Sequence, residues 1–182
     1  IFMAVCIIGA ATAPNFLTLF NFKTIIRDAA IVGIMAIGLT FVTLSGNFFL
    51  LSMKETAALA IIAFATCMAA GLGFPISFLV TMAIATLAGA IQGVLIGLGG
   101  NPIVVTLGAA GLFFGIGSWW SDNLVVSFRR PHGAEWLGSG STFGLPNITI
   151  AFVVIAIIAE LVLRKTSFGR QVYLIGANRA AG

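Results

Sequence analysis

Apolar residues fill most of this chain in runs broken at short intervals by glycine, proline, asparagine and charged residues, and the breaks cut it into segments of membrane-spanning length. Residues 1–13 are apolar from the first position, with no basic stretch ahead and no cleavage signal behind, and so predict a truncated first span rather than a signal peptide. Pro14 to Asp28 mixes Phe16, Leu17, Leu19, Phe20, Phe22, Ile25 and Ile26 with Asn15, Asn21, Lys23 and Arg27, which predicts a segment lying in the interface. A second span is expected over 29–44, short and carrying Gly33 and Gly38. It runs into Ser45-Gly46-Asn47 before the apolar Phe48 to Leu51. Such a break at membrane depth is tolerated where the backbone is buried in protein or lines a watery path, so Ser45, Gly46 and Asn47 are candidates for a translocation path. An ordinary interfacial turn is the alternative.

Lys54 and Glu55 head a third span, 56–70, and Gly71 to Pro75 turns the chain into a fourth, 76–98. In the fourth, Gly89, Gly93 and Gly97 recur every fourth residue, extended upstream by Ala85. One face is thereby stripped of side chains and open to close approach by another helix. Gln92 sits mid-span, where an unpaired amide is costly; a hydrogen bond across helices is expected, with pore lining as the alternative. Gly99-Gly100-Asn101-Pro102 then breaks the chain, and Asn as N-cap with Pro at the first helical position starts a fifth span, 103–120, which carries Thr106 near its start and Trp119 and Trp120 at its far interface. A polar loop from Ser121 to Asn147 leads to a sixth span, 148–163, with Glu160 placed to snorkel or to pair with Arg164. The predicted fold is all-α: a polytopic membrane helical bundle of about six spans in one domain, with a broken or short second span.

Composition agrees. Hydrophobic residues make up 60% of the chain and charged residues 8%, against roughly 25% charged in a soluble domain. Mean hydropathy is +1.15. The runs lack the in-out alternation of a membrane barrel. A net charge of +4 invites a nucleic-acid reading, but the cations are scattered over loop positions with no aromatic interleaving, so membrane orientation explains them better and no nucleic acid is expected. With about six spans both ends share a side. Five cations then fall there (Lys54, Arg164, Lys165, Arg170, Arg179) and four opposite (Lys23, Arg27, Arg129, Arg130), which leaves the orientation open. Cys6 and Cys67 lie inside apolar runs and read as packing residues.

Catalytic chemistry finds few residues to work with. There is no GxxxxGK[ST] run to hold a nucleotide, no HExxH, and one histidine, His132, which reads as a loop residue beside Pro131; neither a metal nor a cofactor is expected. Gly138 to Ser141 reads Gly-Ser-Gly-Ser in a loop with no second base nearby, a poor hydrolase site. Few ionisable residues lie deep in a span, which argues against a proton relay. The last segment, 164–182, is cationic and acid-free, with Phe168, Val172 and Ile175 at helical spacing as one apolar stripe.

Gly38-Leu39-Thr40-Phe41-Val42 leading to Ser45-Gly46, then Leu50, then Asn101-Pro102-Ile103-Val104-Val105-Thr106-Leu107-Gly108, then Phe143-Gly144-Leu145-Pro146, and finally Thr166, Phe168-Gly169-Arg170, Tyr173, Ile175-Gly176, Asn178 and Ala180-Ala181 fall in one order. Together they resemble the membrane permease of bacterial ABC importers of the ribose type, a family that also serves other sugars and autoinducers. The tail is similar to the family's T-x-F-G-R-x-x-Y-A-I-G-x-N-x-x-A-A pattern, with Leu174 in place of Ala. The likeness covers nearly the whole chain but about the first half of such a permease, so the sequence is expected to stop partway through a coupling element. One departure is plain: the family's G-G-I-D-L-S becomes Gly46-Asn47-Phe48-Phe49-Leu50-Leu51, with Phe49 replacing the acid and Leu51 the serine.

The resemblance implies a permease subunit of an importer for a sugar or similar small polar solute in the bacterial inner membrane. It implies no catalytic site on this chain, with ATP hydrolysis in a separate ATP-binding cassette subunit, and as further partners an extracytoplasmic solute-binding protein, a second permease subunit (homo- or heterodimer) and membrane lipid. It assigns ATPase coupling to Gly169, Arg170, Tyr173, Gly176, Asn178, Arg179, Ala180 and Ala181. The coupling helix is expected to be capped by Asn178 and begun by Arg179-Ala180-Ala181, and the tail to face the cytoplasm. Gln92, Asn101 and Thr106 join Ser45, Gly46 and Asn47 as path candidates, and Gly89, Gly93 and Gly97 are assigned to packing. A secondary transporter or channel, or a non-transporting scaffold, are the alternatives.

Overall fold

The computed structural model describes Gly9, Thr12 and residues 16–46, 50–127, 134–142 and 144–177. Among these, the chain forms helices α1 (Leu19–Leu44), α2 (Met53–Ala69), α3 (Phe74–Gly97), α4 (Pro102–Trp120), the short α5 (Ala134–Gly138), α6 (Asn147–Lys165) and α7 (Ser167–Ala177). Between α5 and α6 lie the two-residue strands β1 (Ser141–Thr142) and β2 (Leu145–Pro146). Helices α1, α3, α4 and α6 are long and apolar enough to cross a membrane. Helix α2, at 17 residues, rises about 26 Å, just short of a hydrocarbon core of about 30 Å. The expected span over 1–13 falls almost wholly outside the described residues.

The structure corrects the start of the second span. Instead of an interface segment followed by a short helix, α1 runs unbroken for 26 residues, a rise of about 39 Å. The Thr18 hydroxyl accepts from the Asn21 N–H at 3.3 Å and caps its start. No proline lies within it. Lys23 and Arg27 are good helix formers whose stems carry the charge outward, so a polar stretch that looked like a boundary is simply the wet end of one helix. The break at its other end is present. Ser45 and Gly46 turn off the helix, with Gly46 at φ +84°, a conformation that costs glycine little.

Two compact units emerge, Ile1–Thr40 with Glu135–Val172, and Phe41–Ala134 with Tyr173–Gly182. The second is organised around α2, which buries Leu59, Ala63, Ala65 and Met68 against α3 and α4. Its apolar centre is Leu59, Ala88 and Phe113, with Ile84 and Ala109 packed on it. Small side chains at Ala63 and Ala88 let backbones approach, the packing mode expected where lipid is as apolar as leucine. Phe64 and Phe74 meet edge to face at 6.0 Å across the α2–α3 turn.

In the first unit, α1 and α6 begin at the same end. A cavity there is lined by Lys23 and Arg27 of α1 and by Ser141 and Pro146 ahead of α6, and farther along a Cβ at Gly33 would stand 2.5 Å from the Phe152 ring. The segment between α5 and α6 is ordered by Asn147, whose amide donates to the Trp136 carbonyl at 2.6 Å, while its side-chain oxygen accepts from Thr142 at 2.6 Å. At the other end of α6, the Glu160–Arg164 ion pair forms as its spacing predicts. Thr166 then leaves the helical conformation and starts α7, its hydroxyl accepting from the Gly169 N–H at 3.2 Å.

Candidate functional site: the helix end beneath α7 and the buried polar pair

Helix α7 is where the coupling candidates can be placed. Gly169 and Val172 are its buried residues, while Phe168 and Ile175 are 54% and 40% exposed, so of the apolar set Phe168, Val172 and Ile175 it is Val172 that packs against described residues of this chain. A Cβ on Gly169 would collide with the backbone of Leu163, which follows from the one-residue reversal at Thr166 between α6 and α7. A Cβ on Gly176 would collide with the Leu44 carbonyl oxygen, and a Cβ on Gly46 would stand 3.5 Å from the Gly176 Cα. The end of α1 and the end of α7 therefore meet backbone to backbone. Gly46 and Gly176, singled out separately as path and coupling residues, lie at one contact.

Arg170 and Tyr173 are exposed on α7. Asn178, Arg179, Ala180 and Ala181 lie outside the described residues, as does Asn47; the described helix covers 167–177 and precedes the one expected from Arg179 onward.

Gln92 is 4% exposed and makes the expected bond across helices: the Ser52 hydroxyl donates to its Oε1 at 2.5 Å, and its amide donates to the Ala88 carbonyl at 3.1 Å. Burying an amide without partners costs several kcal/mol, roughly 2 to 7 depending on the reference, so this pair fixes α3 against the start of α2. Ser52 was not legible beforehand. The signal was there: a hydroxyl one position past the site where the resemblance expects serine, directly ahead of a helix. Thr106 is fully buried on the α4 face that also carries Phe113 and Gly117, and its hydroxyl bonds the Pro102 carbonyl at 2.8 Å. Asn101 is exposed and caps α4, accepting from the Ile103 N–H at 3.0 Å. Among the described residues no hydrogen bond joins Gln92, Asn101 and Thr106 to one another. Gly89, Gly93 and Gly97 are exposed, and nothing of this chain's described residues lies within 4 Å of a Cβ built on any of them.

Apolar helices of spanning length, a buried polar pair that pins one of them to the start of α2, and an amphipathic helix seated on a helix end define a multi-pass membrane protein with a built-in surface element. The chain matches the family described as branched-chain amino acid transport system / permease component over residues 21–182 and belongs to it. It is 31% identical over 177 residues to the ribose import permease protein RbsC of Bacillus subtilis (strain 168), covering 96% of this chain and 55% of that one. The autoinducer 2 import system permease protein LsrC of Enterobacter sp. (strain 638) is 30% identical over 172 residues, covering 94% and 50%. The probable ABC transporter permease protein YphD of Escherichia coli (strain K12) is 29% identical over 185 residues, covering 96% and 52%. The chain thus spans about half the length of the curated relatives it matches. No solved structure matches it.

Proposed function

We propose that this chain forms part of the transmembrane permease subunit of an ABC importer for a sugar or similar small polar solute in the bacterial inner membrane. A separate ATPase, an extracytoplasmic solute-binding protein and a second permease subunit complete the system. The observation that carries the reading is the seat of α7: an exposed amphipathic helix bearing Arg170 rests its Gly176 on the Leu44–Gly46 end of a membrane-spanning helix. In this reading the tail is cytoplasmic and the exposed side of α7 meets the ATPase, with Arg170 and Arg179 facing acidic groups there. Closure of the ATPase pair on ATP displaces α7. A backbone-to-backbone contact has no flexible side chain to absorb the displacement, so α1 moves with it and the spans rock between two access states.

The segment from Ser121 to Asn147 then faces outside and offers the docking surface for the binding protein. The open glycine face of α3 suits a second permease subunit. Ser45, Gly46, Asn47, Gln92, Asn101 and Thr106 stand as path candidates; of these Gln92 also ties α3 to Ser52, and Thr106 bonds within α4.

The test is uptake by liposomes containing the full-length permease. Solute should enter only with the ATPase, the binding protein and ATP all present. Entry without ATP or without an ATPase partner would move the protein to the secondary transporters or channels, and no flux under any energy source would favour a scaffold.

A further inference from the structure

We propose that Lys23, Arg27 and the turn at residues 139–141 form a binding site for the phosphodiester headgroup of an anionic phospholipid. A cavity of about 180 Å³ opens between the first turns of α1 and the turn ahead of β1, lined by Lys23, Thr24, Arg27, Ser139, Gly140 and Ser141. Lys23 and Arg27 are four residues apart on one helix face. Among the described residues no carboxylate lies within 4 Å of the Lys23 ammonium. Arg27 has a loose 3.7 Å contact with Asp28, which does not line the cavity, so most of its five N–H donors remain to bind an anion. The opposite wall is fixed before any ligand arrives: the Gly140 N–H donates to the Glu135 carbonyl at 2.9 Å and the Asn147 N–H to the Gly140 carbonyl at 3.0 Å. Ser139 and Ser141 line the cavity on that wall.

Depth selects the ligand. Counting about 20 residues, one hydrocarbon thickness, back from Leu44 reaches Ile25. Lys23 and Arg27 bracket that level, the hydrocarbon edge, from which their long side chains reach the phosphates just outside it. Ile25, at that level, is 52% exposed, and Phe20 and Phe22, on the turns outward of it, are 81% and 60% exposed. The upper part of an acyl chain covers Ile25 and the headgroup region takes the two aromatics, so a lipid satisfies the cationic cavity and its apolar surroundings together, whereas a soluble anion satisfies only the first.

The experiment uses the full-length protein in detergent, titrated with phosphatidylglycerol or phosphatidylcholine and read by native mass spectrometry. Phosphatidylglycerol should be retained saturably and in preference to phosphatidylcholine. The Lys23→Gln, Arg27→Gln double variant should lose about tenfold or more in retention, as expected for two interfacial cations. The Lys23→Arg, Arg27→Lys swap should keep it, and Arg164→Gln, Lys165→Gln at the far end of α6 should leave it unchanged. Equal retention by wild type and the Gln double variant, or of both lipids, overturns the site. Displacement by millimolar inorganic phosphate keeps the anion chemistry and overturns the lipid source. Unchanged lipid retention with loss of stimulation by the binding protein assigns the cations to a protein partner instead.

Discussion

Helices α7 and α3 use their glycines in opposite ways. On α7, Gly169 and Gly176 each face a backbone that a Cβ would strike; on α3, Gly89, Gly93 and Gly97 face no described residue of this chain. The α3 stripe is the more conspicuous in sequence, three glycines four residues apart in an apolar span. It is the α7 pair, seven residues apart in a cationic segment, that the fold requires. Spacing says where a helix can be approached. Only the path of the chain says whether anything approaches, and the end of α7 runs against the end of α1.

Replacing one glycine from each set should break the comparison or sharpen it. Gly176→Leu forces a side chain into the Leu44 carbonyl and should cost roughly 2 to 3 kcal/mol, the upper range for overpacking, read as a lower unfolding midpoint in detergent. Gly169→Ala meets only one added methyl, but against backbone that cannot turn aside, and should cost about 1 to 2 kcal/mol by the same assay.

The Ser52–Gln92 pair offers a reference without glycine. Ser52→Ala leaves the Gln92 oxygen buried and unpaired, at about 1 to 2 kcal/mol. Combining it with Gln92→Leu should recover part of that loss, and strict additivity of the two would show that no bond joins them. Gly93→Leu should be smallest, within about 0.5 kcal/mol for the isolated subunit. A large loss there would show that the open face of α3 is covered by an element outside the described residues.

How much of this was legible in the sequence follows from what each feature depends on. The apolar runs gave α3, α4 and α6 to within about two residues at each end, because their breaks contain Gly, Pro and a capping Asn101 that act locally. The start of α1 was misread because Lys23, Arg27 and Asp28 mark a change of solvent, and backbone hydrogen bonding does not stop where solvent changes. The Gln92 hydrogen bond was foreseeable from the cost of a lone amide in a span. Its partner was not, since Ser52 lies forty residues away and is brought there by the α2–α3 reversal. On α7 the resemblance singled out Gly169 and Gly176, while apolar spacing pointed to Phe168, Val172 and Ile175. The face turned inward takes one residue from each set, with Gly169 and Val172 buried.

The claim that α7 drives α1 through Gly176 is tested most directly by ATP-driven solute uptake in proteoliposomes carrying the complete transporter with Gly176→Leu, alongside wild type, with ATPase binding measured on the same samples. The contact predicts that Gly176→Leu retains the ATPase yet loses most uptake, about tenfold or more for an interaction that transmits the working motion. Wild-type uptake by Gly176→Leu would contradict it.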